Sequence, residues 1–127
     1  MAKKKTPRVG TIAWQDLTVR DAEKLRDFYC RVVGWKSRPL DMGGYSDFEI
    51  LLPGGRKSVA GICWARGSNA KLPPQWLIYI QVRDLTESMR LCRKLGGKVL
   101  DGPRKMGKLR FCVVQDPAGA VAALVGP

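Results

Sequence analysis

Few side chains in this sequence are able to do chemistry, and their types and spacing narrow what that chemistry is. The 127 residues include no histidine, so no imidazole is present to move protons near neutral pH or to hold a metal. The cysteines are Cys30, Cys63, Cys92 and Cys112. None lies two to four residues from another, so the paired spacing of a zinc clamp is missing. They read as buried, reduced thiols, the common fate of free cysteine in a reducing compartment. What remains is aromatic and polar groups at a spacing of two. Trp14 and Asp16 sit two apart in the alternating stretch Thr11 to Val19, and Tyr79 and Gln81 two apart in Trp76 to Val82. Residues two apart on a strand share a face. An aromatic body with a few polar tips is what a pocket for a small organic molecule requires.

The elements that position these residues come from an internal repeat. Val19-Arg20-Asp21 recurs as Val82-Arg83-Asp84, an offset of 63 residues, and at that offset Leu17 falls on Ile80, Phe28 on Leu91, Val32 on Leu95 and Gly34 on Gly97. In the first copy a strand over Thr11 to Val19 leads to a helix capped by Asp21. Leu25, Phe28, Tyr29, Val32 and Val33 make one apolar stripe along that helix, and Gly34 stops it. Strands follow at Trp35 to Leu40, Tyr45 to Leu52 and Ser58 to Trp64. In the second copy a strand over Trp76 to Val82 leads to a helix capped by Asp84 or Thr86, with Leu85, Met89, Cys92 and Leu95 buried and Gly96-Gly97 as the stop. Strands follow near Lys98 to Leu100, at Leu109 to Gln115 and at Ala120 to Val125, the last two joined by the turn Asp116-Pro117-Ala118-Gly119.

The order is βαβββ twice, an α+β fold. Each helix has one apolar face and must cover one side of a sheet. The expected architecture is therefore two tandem modules forming a curved sheet around a cleft, with the helices on the outer face. Residues 1–9 read as a disordered basic tail and 10–127 as one domain: module 1 over about 10–65, a linker over about 66–74 and module 2 over about 75–127. Alternation turns Ala13, Leu17 and Val19 toward the helices and Ile12, Trp14, Asp16 and Thr18 toward the cleft. In the second copy Ile78, Ile80 and Val82 face the helices, and Leu77, Tyr79 and Gln81 face the cleft.

Composition bounds the partners. Lysine and arginine outnumber aspartate and glutamate by 23 to 11, a formal charge of +12, which attracts polyanions without specifying one. No nucleic-acid motif accompanies the charge, so nucleic acid is a possible partner but not a specific one. No apolar run approaches the roughly 20 residues that span a bilayer. The basic start lacks the apolar core of a secretory signal. The expectation is a cytoplasmic protein without membrane partners.

Several signatures fall in order on this repeat: Leu17-x-Val19-x-Asp21, Phe28-Tyr29, Gly34-Trp35, Val82-x-Asp84, Leu95-Gly96-Gly97 and Asp116-Pro117-x-Gly119. From about Gly10 to Val125 the chain resembles the vicinal-oxygen-chelate group, the glyoxalase, bleomycin-resistance and extradiol-dioxygenase relatives. That resemblance implies metal ligands at four strand positions, which fall here on Trp14, Glu49, Leu77 and Ala123. A divalent ion with open positions needs about three N, O or S ligands. One carboxylate does not suffice, so no catalytic metal and no cofactor are expected, against the group's default. The resemblance also implies a homodimer.

Three functions stay open at this point. One is a metal-independent binder of a small organic molecule, neutral or weakly cationic, contacted by Trp14, Asp16, Glu49, Tyr79 and Gln81. Another is a metal-free isomerase, lyase or oxygenase with Glu49 as base, its pKa raised by burial, and Tyr79 or Arg110 stabilising an oxyanion. The third is a basic interaction protein with a vestigial cleft. Against the first two, Trp14 and Tyr79 would fill a closed core or a dimer seam, and Glu49 would pair with a nearby arginine. Trp64 and Trp76, on either side of the linker, read as packing residues.

Overall fold

The computed structural model describes residues 7–127. The expected tail at 1–9 therefore lies mostly outside the described residues. At its end the amide of Thr11 donates to the carbonyl of Arg8 at 3.0 Å, closing a turn before the first strand.

The chain runs β1 (Ile12–Val19), α1 (Ala22–Val33), β2 (Lys36–Asp41), β3 (Ser46–Leu51), β4 (Ser58–Trp64), a short 3-10 turn (Gly67–Asn69), β5 (Trp76–Gln81), α2 (Leu85–Lys94), β6 (Lys98–Met106), β7 (Leu109–Gln115) and β8 (Val121–Gly126). This is the α+β pattern of βαβββ twice. Residues 15–76 form one compact unit. Residues 77–127, with the described residues up to Trp14, form the other.

In the first unit the strand order is β2-β3-β4-β1. The β2-β3 and β3-β4 pairs are antiparallel, and β1 lies parallel to β4. A parallel neighbour requires a crossover, and α1 supplies it. Asp21 caps α1 by accepting from the amide of Lys24 at 3.0 Å. Gly34 ends it in the left-handed region at φ 86°, donating to the carbonyl of Cys30. Leu17, Val19, Ala22, Phe48, Ile50, Ala60 and Ile62 form the buried core under α1, with Leu25, Tyr29, Trp35, Trp64 and Trp76 against it.

The apolar stripe expected along α1 is only partly used. The buried line is Ala22, Leu25 and Tyr29, whereas Phe28, Val32 and Val33 are 51%, 66% and 50% exposed. Phe28 precedes Tyr29 by one residue, about 100° around the axis, and so faces away from the core. Five apolar residues at helical spacing exceed what one sheet face covers here.

The second unit repeats the plan with the order β5-β8-β7-β6. Here β5 is parallel to β8, and the β6-β7 and β7-β8 pairs are antiparallel. Asp84, not Thr86, caps α2, accepting from the amide of Glu87 at 3.1 Å. Leu85, Met89, Cys112 and Val114 form its core, joined by Val82, Cys92, Val99 and Leu124. Leu95, expected in this stripe, is 69% exposed. It is the C-cap residue just after α2, its amide still donating to the Leu91 carbonyl at 2.9 Å.

The strand β6 is longer than its sequence indicated. The expected strand lay near Lys98 to Leu100, yet pairing with β7 resumes at Arg104 after register shifts. Gly102, at φ 97°, absorbs the irregularity: a Cβ there would lie 2.8 Å from the carbonyl oxygen of Phe111. This is a bulged strand, not a terminated one.

Candidate functional site

The face of the first sheet turned away from α1 is polar. Register pairs share a face, so the partners of core residues identify the two sides. Leu17 pairs with Ile62, and Phe48 also pairs with Ile62, all three on the α1 side. Their neighbours one residue away form a row on the opposite side. Asp16 pairs with Gly61, Gly61 with Glu49, and Glu49 with Arg38. The sequence reading of alternation in β1 is thus correct for Asp16 and Thr18.

Gly61 sits at the centre of this row. It lies between the two carboxylates without a side chain, and a Cβ built on it would overlap the Asp16 carboxylate. The arginine beside Glu49 was not anticipated by number: the Nε of Arg38 donates to the Oε1 of Glu49. That bond holds the Glu49 carboxyl below its usual range, outweighing the opposing effect of desolvation. The expectation of a Glu49 base with a raised pKa is therefore overturned. A carboxylate tied to a guanidinium holds protons more weakly, not more strongly. The alternative of pairing with a nearby arginine is what the structure contains.

The same face carries Thr18 beside Cys63, and Asp47. Thr18 and Asp47 are buried. The Oδ1 of Asp47 accepts from the amide of Trp64 at 3.0 Å. Burial pushes the Cys63 thiol far up, and the Asp16 and Asp47 carboxylates push it further. Cys63 is thus held as the protonated thiol, although it is half-buried and not fully buried as expected; of the four cysteines Cys112 alone is buried.

Trp14, Tyr79 and Gln81 belong to the other unit. In its sheet Ile80 pairs with Leu124 on the α2 side, leaving Tyr79, paired with Ala123, on the helix-free side. Tyr79 and Gln81 are 7% and 2% exposed. The ring of Tyr79 is 6.1 Å from that of Phe111. The guanidinium of Arg104 lies 4.7 Å over Phe111 and is ion-paired with Asp101. This aromatic pair with its stacked arginine was missed from sequence, because the Gly102 bulge hid the register that sets Arg104 opposite Phe111. Arg110, considered as a partner of Tyr79, is on the wrong side. It precedes Phe111 by one residue and points to α2, donating to the Thr86 hydroxyl at 3.0 Å and the Pro127 carbonyl at 3.3 Å.

The remaining tryptophans pack. Trp64 donates its indole N–H to the Ser46 carbonyl at 2.9 Å, and Trp76 donates to the Tyr29 hydroxyl at 3.0 Å while its ring lies 5.9 Å from that of Trp35. Beside Trp64 is a shallow depression lined also by Tyr45, Phe48, Arg26 and Arg66. Arg66 stacks on Tyr45 at 3.8 Å and Arg26 on Phe48 at 4.5 Å.

The donor set does not fit a metal at the positions the resemblance implies. Leu77 and Ala123 are apolar and fully buried. Glu49 is committed to Arg38. Among the described residues no group of three or more His, Cys, Asp or Glu side chains is placed to hold an ion.

Fold and sequence together define a class. The family model for the Glyoxalase/Bleomycin resistance protein/Dioxygenase superfamily matches residues 8–124, and the chain belongs to that superfamily. It is 25% identical over 119 residues to the candidate glyoxylase CFP32 of Mycobacterium bovis, covering 93% of this chain and 44% of the relative. It is 28% identical over 131 residues to the anthracycline biosynthesis protein DnrV of Streptomyces peucetius, covering 91% and 46%. The chain thus spans less than half the length of the curated relatives it matches. Among solved structures, the hypothetical protein BH1468 of Bacillus halodurans superposes with a TM-score of 0.57 at 12% identity, over 94% of this chain and 96% of that one. A Streptomyces coelicolor methylmalonyl-CoA epimerase variant in complex with 2-nitronate-propionyl-CoA gives 0.52 at 16%, over 94% and 98%. At these identities the structural likeness establishes the fold alone.

Proposed function

We propose that the chain binds a small organic molecule without a metal, using the helix-free row of the first module, and that it works as a homodimer in the cytoplasm. The observation that carries this reading is the pair of carboxylates, Asp16 and Glu49, facing one way across the bare backbone of Gly61. The Asp16 carboxylate folds over Gly61 into the space a side chain there would take, and a ligand group over the row meets two carboxylates and one guanidinium. The row itself sets two carboxylates, Asp16 and Glu49, against the one guanidinium of Arg38, so it favours a weakly cationic ligand although the chain as a whole is strongly basic. The relative named for anthracycline biosynthesis suggests one class to try, planar aromatic molecules bearing an amine.

A thermal-shift screen of planar organic cations, an anthracycline included, run in excess chelator, tests the reading. Hits that stabilise the wild type and lose most of their shift in Asp16→Asn or Glu49→Gln support it. A screen in which every shift requires added divalent metal contradicts it.

A basic-surface reading keeps one specific support. Lys105 and Arg110 are directly opposite each other on β6 and β7, and like charges in that position destabilise a sheet unless something anionic offsets them. Retention on heparin at physiological salt with a steep salt slope is its test.

A further inference from the structure

We propose that the depression beside Trp64 is a separate binding site, for a small planar organic molecule that carries a carboxylate. It holds about 460 Å³, inside the roughly 300–1,000 Å³ usual for small-ligand pockets. Glu23, Arg26, Tyr45, Phe48, Trp64 and Arg66 line it. It shares no residue with the row of Asp16, Gly61, Glu49 and Arg38, and its Phe48 and Trp64 belong to the core on the α1 side of the sheet.

Charge selects the ligand. Arg26 is committed, bonded to Asp27 at 2.8 Å and facing Glu23 at 3.9 Å. Arg66 differs. Its guanidinium lies 3.8 Å over the Tyr45 ring, and among the described residues it is paired with no carboxylate. A guanidinium resting by its face on an aromatic ring keeps its N–H edge for an acceptor, and that fork matches a carboxylate. The frame around it is fixed. The Arg66 amide donates to the Trp64 carbonyl at 3.0 Å, and the Arg66 carbonyl accepts from the Asn69 amide at 3.0 Å. Trp64 is held by its amide to Asp47 and by its indole N–H to the Ser46 carbonyl. With that N–H spent, Trp64 offers a ligand ring surface only, which suits a flat apolar body. Glu23 at the rim repels a doubly charged phosphate more than a singly charged carboxylate.

Calorimetric titration of naphthoate into the full chain tests this, with naphthalenemethanol as the uncharged counterpart and adenosine monophosphate as the phosphate. Circular dichroism confirms that each variant keeps its fold. Naphthoate is expected to saturate at one site per chain with a dissociation constant below about 1 mM, and to bind more tightly than either comparison compound. Arg66→Gln, an exposed substitution, is expected to weaken it at least about 10-fold by removing a charged hydrogen-bond donor. The Asp16→Asn, Glu49→Gln double variant is expected to bind naphthoate as the wild type does. No saturable binding, equal binding of the alcohol, or tighter binding of the nucleotide overturns the ligand class. Affinity unchanged in Arg66→Gln, or lost in the double variant, overturns the site. Each of these outcomes leaves the reading of the Asp16 and Glu49 row to its own test with organic cations.

Discussion

Asp16 on β1 and Glu49 on β3 are both register partners of Gly61, so two carboxylates share one row with only backbone between them. The spacing follows from the order β3-β4-β1, which puts the strand carrying the glycine in the middle. Neither carboxylate's local sequence announces the other.

The first prediction concerns that glycine. Gly61→Ala places a methyl group against the tip of the Asp16 side chain, which can rotate away. Stability measured by urea unfolding is therefore expected to change by less than about 1 kcal/mol, whereas ligand affinity falls. Gly126→Ala is the contrast. Its methyl would lie 2.5 Å from the carbonyl oxygen of Val82, which is backbone and does not rotate. There a loss of about 1–3 kcal/mol is expected, as for other overpacked sites. Equal losses at both positions would contradict this account of the row.

Glu49 is predicted to titrate below an ordinary glutamate, about 4.3, because Arg38 donates to it. The pair therefore stabilises the fold above that pH, and the contribution is lost as pH falls through the depressed value. Carboxyl chemical shifts followed by NMR measure it. Arg38→Gln should return Glu49 toward the ordinary value. A wild-type Glu49 titrating above 4.3 would restore the possibility of a general base.

Native thiol reactivity should divide the cysteines. Burial pushes the Cys112 thiol up to about 11, helped by Cys92 nearby, and pushes Cys63 further still. Cys63 is itself partly exposed as well as raised, and the other partly exposed thiols are Cys30 and Cys92. At pH 8 a thiol-exchange reagent should react quickly with no more than these two in the folded protein, and with all four after unfolding. Four equally fast native thiols would contradict the raised Cys63 thiol and the buried placement of Cys112.

Much of the fold was legible because its signals are local and repeated. Asp21 and Asp84, at equivalent places in the repeat, both cap helices as read, and β4 and β7 fall on the expected residues. Strand alternation also placed Asp16 and Tyr79 on the helix-free faces. What was not legible depends on pairing between distant segments. Arg38 and Glu49 become partners only through the β2-β3 register. Phe28 and Val32 look like core in a helical pattern, which reports that a face is apolar but not what covers it. Arg104 lies past the strand expected near Lys98 to Leu100, and only pairing with β7 sets it opposite Phe111.

Calorimetric titration of proflavine, a planar organic cation, tests the central claim most directly when run in chelator and repeated with added zinc or magnesium. The account predicts saturable binding at one site per chain, unaffected by either metal and weakened at least about 10-fold by combining Asp16→Asn with Glu49→Gln. Binding that appears only with added metal, or that survives the double substitution unchanged, would contradict it.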